Sequence, residues 1–192
     1  LREVTNVNIC LLGFTDKRPV IYSLLKVLGQ VGRTLLVSPN LQFSQLSEDY
    51  EQDFEVMGVH VICEPISFGE ILAEVDLEEF NYIVFDCIVE LPEKIDVALI
   101  QDNLDYYRDL LEVADEETYL LFINKALSPE KGNTYMMASA ASLEKTCAQI
   151  ERKKLPYPFA SSIHNKMMSA LLGEILQTPP QNILKYLKKG VK

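Results

Sequence analysis

The stretch from Asn6 to Pro19 constrains the fold more than any other. An apolar segment, Val7-Asn-Ile-Cys-Leu-Leu12, runs into a polar corner, Gly13-Phe-Thr-Asp-Lys-Arg18, and a helical pattern starts at Pro19. The short apolar segment reads as a strand buried on both faces. Val20, Ile21, Leu24, Leu25, Val27, Leu28 and Val31 then recur at helical spacing. Pro19 suits the first helical turn, where its missing N–H costs nothing, and Gly32 is placed to end the helix. Strand, tight turn and helix start is the arrangement by which many nucleotide-binding proteins hold a phosphate, because helix N-terminal N–H groups point at the anion. A phosphate cradle wants several glycines, and this corner has one, Gly13.

The pattern downstream repeats strand and helix. Thr34–Ser38 is a second strand, stopped by Pro39-Asn40, and a helix is expected from Leu41 or Ser47 to Met57, with an acidic face at Glu48, Asp49, Glu51, Asp53 and Glu55. Val59–Cys63 is a third strand, 68–75 a short helix, 81–86 a fourth strand ending in Asp86, 96–100 a fifth strand and 102–113 a helix carrying Tyr106 and Tyr107. A sixth strand, 118–124, ends in Asn124; then come a loop at 127–134, a long helix at 136–154, a last strand at 157–161, a helix at 165–176 and a short basic helix at 181–189. Alternation of apolar strands with helices predicts an α/β fold: a mostly parallel sheet of about six or seven strands with helices on both faces and right-handed crossovers. All 192 residues read as one domain. Val7–Leu12 is expected near the centre of the sheet, with Val7, Ile9, Leu11, Val84 and Phe85 buried.

Charge and composition narrow the function classes. The net charge of −10 argues against a nucleic-acid partner, since phosphates are repelled. Cys10, Cys63, Cys87 and Cys147 lack metal-type spacing, and three sit in apolar runs, where cysteine behaves as a small hydrophobe. They read as reduced thiols of a cytoplasmic protein. His60 and His164 have no nearby Cys or His companion, so no metal site is expected. No apolar run reaches the roughly 18 residues of a membrane span, and no signal-peptide pattern is seen. The chain opens on Leu1 rather than Met, as a piece of a longer chain does. The C-terminal run 183–192 is apolar and basic; it is short and reads first as a closing helix packed on the domain, with an anionic lipid surface as the alternative.

In open α/β sheets, ligands bind beyond the carboxyl ends of the strands. Those ends carry Gly13 to Arg18, Ser38 and Asn40, Asp86, and Asn124 with Lys125. In order, lengths and end residues the chain resembles the MinD/ParA family of deviant Walker P-loop ATPases over nearly its whole length. Lys17 lies fifteen residues before Gly32, the spacing of that family's phosphate-binding lysine from the glycine ending its first helix, and Gly29-Gln-Val-Gly-Arg-Thr-Leu-Leu-Val37 is similar to its helix-end phrase. Phe80-Asn-Tyr-Ile-Val-Phe-Asp86 resembles its Walker B strand, Leu120-Leu-Phe-Ile-Asn124 the strand whose asparagine contacts adenine, and 157–173 its closing segment.

Against the family's K-G-G-x-G-K-T-T loop, residues 12–19 read Leu-Gly-Phe-Thr-Asp-Lys-Arg-Pro. Gly13 and Lys17 are kept. Leu12 replaces the signature lysine, Phe14 and Asp16 replace glycines, and Arg18 stands where a threonine binds magnesium. A Cβ at position 14 disfavours positive φ, Asp16 adds negative charge beside the anion site, and Arg18 offers no oxygen to Mg²⁺. Ser38 and Asn40 stand where the family usually carries aspartates, which weakens metal and water handling further. The resemblance implies Gly13, Lys17, Asp86 and Asn124 as nucleotide-contacting positions, with no catalytic residue and no metal ligand assigned. Lys17 with Arg18 reads equally as a solvated loop pair, Asp86 as a cap, and Asn124 as a turn residue. The expectation is a non-catalytic, pseudo-ATPase-like scaffold or adaptor with protein partners in a larger bacterial assembly and no obligatory cofactor. Weak ATP or ADP binding, a homodimer and peripheral membrane contact through the basic C-terminal helix stay open. The competing reading is an active ATPase in which Lys17, Asp86 and Asn124 serve Mg-ATP through an altered loop.

Overall fold

Side-chain parity along the first strand sets the layers. In β1 (Val7–Leu12), Ile9 and Leu11 enter one core while Cys10 and Leu12 enter another on the opposite side of the sheet. A strand apolar at consecutive positions has to be covered on both faces. The computed structural model describes residues 6–88, 90–102, 117–122, 140–154 and 162–188. After β1 come α1 (Arg18–Val31), β2 (Thr34–Ser38), β3 (Asp53–Val56), β4 (Val59–Cys63), α2 (Phe68–Ala73), β5 (Tyr82–Cys87), β6 (Val97–Ile100), β7 (Tyr119–Phe122), α3 (Ala140–Lys153), α4 (Ser162–Ile175) and α5 (Pro180–Lys188). Among the described residues the strands form one seven-stranded sheet in the order β3-β4-β2-β5-β1-β6-β7. Every neighbouring pair is parallel except β3 with β4.

The fold is thus α/β and mostly parallel, with β1 inside the sheet between β5 and β6. Ile9, Leu11, Val84 and Phe85 are buried as expected, whereas Val7, at the strand's entry, is only half-buried. One face of the sheet is covered by α1 together with residues of α3, α4 and α5; the other receives Phe68 and Ile71 of α2. The basic α5 turns Ile183 and Leu187 into the first of these cores and leaves Lys185 and Lys188 exposed, so its apolar side is spent on the domain. Among the described residues no helix is long and apolar enough to cross a membrane.

The helix expected up to Met57 is not there. Residues Leu41–Leu46 form a 3₁₀ turn capped by Asn40, whose side chain accepts the Gln42 N–H, and Asp53–Val56 is a strand antiparallel to β4. Asp53 and Glu55, read as a helix face, alternate with Phe54 and Val56, and the period is two. Val56 pairs with Val59, so Met57 and Gly58 alone make the turn, with φ of 50° and 75°. Two left-handed residues between paired strands make the turn that matches strand twist. A Cβ on Gly58 would also lie 2.6 Å from the Gly29 carbonyl oxygen of α1. Gly32 does follow α1, but with extended backbone; its place is explained by close approach, since a Cβ there would meet Asn81 and Tyr82 at 2.9 Å.

All but the first residue of the helix expected at 102–113, with Tyr106 and Tyr107, Asn124 and Lys125, the loop at 127–134, the start of the helix at 136 and the strand at 157–161 lie outside the described residues.

Candidate functional site

Register brings the strand ends together. Leu11 pairs with Asp86 and Leu12 with Cys87 on one side of β1, while Leu12 pairs with Ile100 on the other. The Gly13–Arg18 corner therefore emerges between the ends of β5 and β6. Val37 pairs with Phe85, which puts Ser38 beside Asp86. Asp86 shares the parity of Val84, whose side chain enters the core under α1. It faces the helix that Lys17 precedes. The corner lines a cleft of about 430 Å³ with Asn40, Gln42, Phe43, Asp86 and Ile88. That is within the size range of small-ligand sites.

Of the residues named from sequence, Gly13, Lys17 and Asp86 meet here; Asn124 is outside the described residues. Lys17 and Asp86 are 7% and 2% exposed, and the ammonium lies 2.5 Å from Asp86 Oδ1. Lys17 Nζ also donates to the Cys87 carbonyl at 2.9 Å, and Ser38 Oγ donates to Asp86 Oδ2 at 2.7 Å. Both carboxylate oxygens of Asp86 are engaged. The solvated-pair reading of Lys17 and Arg18 fails for both, because Arg18 is 5% exposed. Its guanidinium donates to Asp16, to Glu144 at 2.7 Å and to Glu151 at 2.8 Å, the last two on α3. Hydrogen bonds and charge from Asp16 and Glu151, against the cost of burial, raise the Arg18 pKa further. Tyr22 Oη donates to the same Glu151 oxygen at 2.7 Å, and burial followed by that contact pushes its phenol pKa up. Arg18 is thus a clasp between the corner and α3.

The corner's backbone donors have a partner within the chain. Phe14 N–H donates to Asp102 Oδ1 and Thr15 N–H to Asp102 Oδ2, each at 2.9 Å, and the Thr15 hydroxyl donates to the same carboxylate. Gln101 Nε2 donates to Thr15 Oγ1 at 2.8 Å and to the Asp16 carbonyl at 3.0 Å. Burial pulls the Asp102 pKa up, but the Thr15 and Phe14 hydrogen bonds and the Lys17 charge outweigh it and hold the carboxyl below its usual range. Asp16 is likewise held low: Arg18 hydrogen bonds outweigh burial. The Arg18 N–H is taken by Asp16 Oδ1 at 3.0 Å. At position 13 a Cβ would stand 3.0 Å from Asp102 Oδ2 and 3.1 Å from Gln101 Cβ, so a larger residue there would press on both.

A magnesium nucleotide fits this set poorly. Arg18 gives Mg²⁺ no oxygen, the N–H groups of residues 14 and 15 already hold a carboxylate, and Lys17 is paired to Asp86. Among the described residues no group of three or more His, Cys, Asp or Glu side chains is arranged to hold a metal ion. His60 faces Asp53 across the β3–β4 hairpin at 2.6 Å, and His164 is buried against Ser23 Oγ at 2.7 Å. All four cysteines are buried free thiols. Burial foremost pushes Cys63 up to about 11 and Cys147 up to about 12, far from reactive thiolates.

Sequence reasoning missed Asp102, Gln101, Tyr22 and Glu151. For Asp102 a signal exists: it lies two residues beyond the end of a strand that pairs with β1. For Glu151 there is none, since only tertiary packing brings it to Arg18. Comparison with protein-family models, with curated proteins and with solved structures gives no match.

Proposed function

We infer that this chain is a non-catalytic relative of the MinD/ParA ATPases that serves as a scaffold or adaptor in a larger assembly, of the kind that builds secretion, pilus, conjugation or positioning machinery in bacteria. The observation that carries the reading is the state of the corner. Its lysine is paired to Asp86, its arginine to Asp16, Glu144 and Glu151, and its Phe14 and Thr15 N–H groups to Asp102. Phosphoryl transfer rests on positioned donors and a metal that meet charge as it develops on the phosphoryl group. Donors committed to internal carboxylates are not free for that task, and losing one transition-state donor costs roughly 10²–10³ in rate. With catalysis given up, the frame is left for binding proteins through its surface. The basic side of α5, Lys185 and Lys188, is its contact for an anionic surface.

Phosphate release from Mg-ATP tests the reading. The expected result is no turnover above that of a Lys17→Ala/Asp86→Ala variant, which removes the ion pair as a unit. The assay is repeated in the presence of any protein captured by the chain, because an activating partner is the way a slow ATPase would escape detection. Turnover that the double variant abolishes while keeping a cooperative thermal transition would overturn the reading in favour of a working ATPase.

A further inference from the structure

We propose that Asp102 is the resident anion of the Gly13–Lys17 corner, and that its carboxylate, supplied by the chain itself, closes a site that otherwise takes a polyphosphate. The inference deepens the non-catalytic reading and rests on it. Two successive backbone N–H groups, from Phe14 and Thr15, converge with the Thr15 hydroxyl on one carboxylate. Successive N–H groups aimed at a common point form an anion-binding concavity. Here the anion comes from a residue far away in sequence, delivered by the pairing of Leu12 with Ile100 and the hydrogen bond from Gln101 N–H to the Leu12 carbonyl at 2.8 Å.

Three further observations agree. Gly13 lacks the Cβ that would press on Asp102 Oδ2, so the backbone approaches the carboxylate closely. Gln101 holds Thr15 from the other side, fixing the hydroxyl toward Asp102. The Asp102 carboxyl is held below its usual range, so the surroundings favour negative charge at this point although the chain as a whole is acidic.

The probe is inorganic pyrophosphate in magnesium-free buffer, titrated into wild type, Asp102→Ala and Asp102→Asn, with heats read by calorimetry and Phe14 and Thr15 amides followed by NMR. Asp102→Ala is expected to bind roughly tenfold or more tighter than wild type, the scale of one charge-assisted hydrogen bond made available, with both amides shifting. Asp102→Asn keeps the bulk but not the charge and is expected to fall between; it carries the test if the alanine variant does not fold. Folded variants that bind no tighter than wild type would overturn the proposal, as would tighter binding that leaves the two amides unmoved. Wild-type ATP turnover, by contrast, would overturn the non-catalytic reading and is scored separately.

Discussion

The Lys17 ammonium and the Asp86 carboxylate sit 2.5 Å apart at the buried junction of the corner with the end of β5. Neither group is left to water, and the second oxygen of Asp86 is held by Ser38. A buried pair of this kind is costly to break from one side, because the survivor keeps its charge without its partner. Lys17→Met is therefore expected to destabilise the fold by about 3–5 kcal/mol, and Lys17→Met/Asp86→Leu to recover most of that loss. Urea denaturation of the two variants checks it. A single variant within roughly 0.5 kcal/mol of wild type would show that the pair carries no structural weight.

Arg18 makes a sharper comparison, because its partners differ in exposure. Glu151 is buried while Glu144 is exposed. Glu144→Ala is expected to cost less than about 1 kcal/mol, as surface pairs do. Arg18→Ala leaves the Glu151 carboxylate, among the described residues, with Tyr22 alone for a side-chain partner and is expected to cost about 3–5 kcal/mol. A double-mutant cycle between Arg18 and Glu151 in urea measures the coupling.

His164 predicts the acid side of the stability curve. It is buried, bonded to Ser23, and lowered by burial from 6.5 to about 4. The unfolded chain takes up the proton near 6.5 while the folded protein resists until about 4. The unfolded state thus binds more protons in that window, and stability falls as pH falls through it. The slope expected from this group is about 1.4 kcal/mol per pH unit. Asp16 and Asp102, both held low, contribute stability that is present above their unfolded values and lost as pH drops through their folded ones. Urea midpoints across the acid range check the slope, which should flatten between 6.5 and 4 in His164→Gln.

The β3–β4 hairpin is pinned at Gly58. Alanine there meets a φ of 75° and the Gly29 carbonyl together. Gly58→Ala is expected to lose about 2 kcal/mol or more, whereas alanine at the exposed Gly69 of α2, whose Cβ would meet nothing within 4 Å, is expected to be neutral or to gain up to about 1 kcal/mol of helix propensity. Thermal denaturation of the two variants separates them.

The frame was legible from sequence because it is local. A continuous apolar run marks a strand covered on both faces, and Val20 to Val31 mark one helical stripe. Lys17 and Asp86 were legible as strand-end neighbours because a parallel sheet gathers its carboxyl ends at one edge. The hairpin was misread because Asp53 and Glu55 extend an acidic run that suits a solvated helix face, while only Phe54 and Val56 report a period of two. The internal pairing of the site was hidden for another reason. Asp102 bonds residues 87 and 88 positions away, Arg18 reaches Glu151 across 133, and Ser23 meets His164 across 141. Periodicity says that a helix starts at Pro19, next to Arg18; it says nothing of which carboxylates will meet the arginine.

The donors of the corner are held by the chain's own carboxylates, Phe14 and Thr15 N–H by Asp102 and Lys17 by Asp86, and are not free for a phosphate. Calorimetric titration of the wild-type protein with ATP and ADP, with and without Mg²⁺, tests it most directly. At most weak binding that Mg²⁺ does not strengthen is expected, since Arg18 supplies no metal ligand and Lys17 remains with Asp86. Tight, Mg²⁺-dependent ATP binding would contradict it.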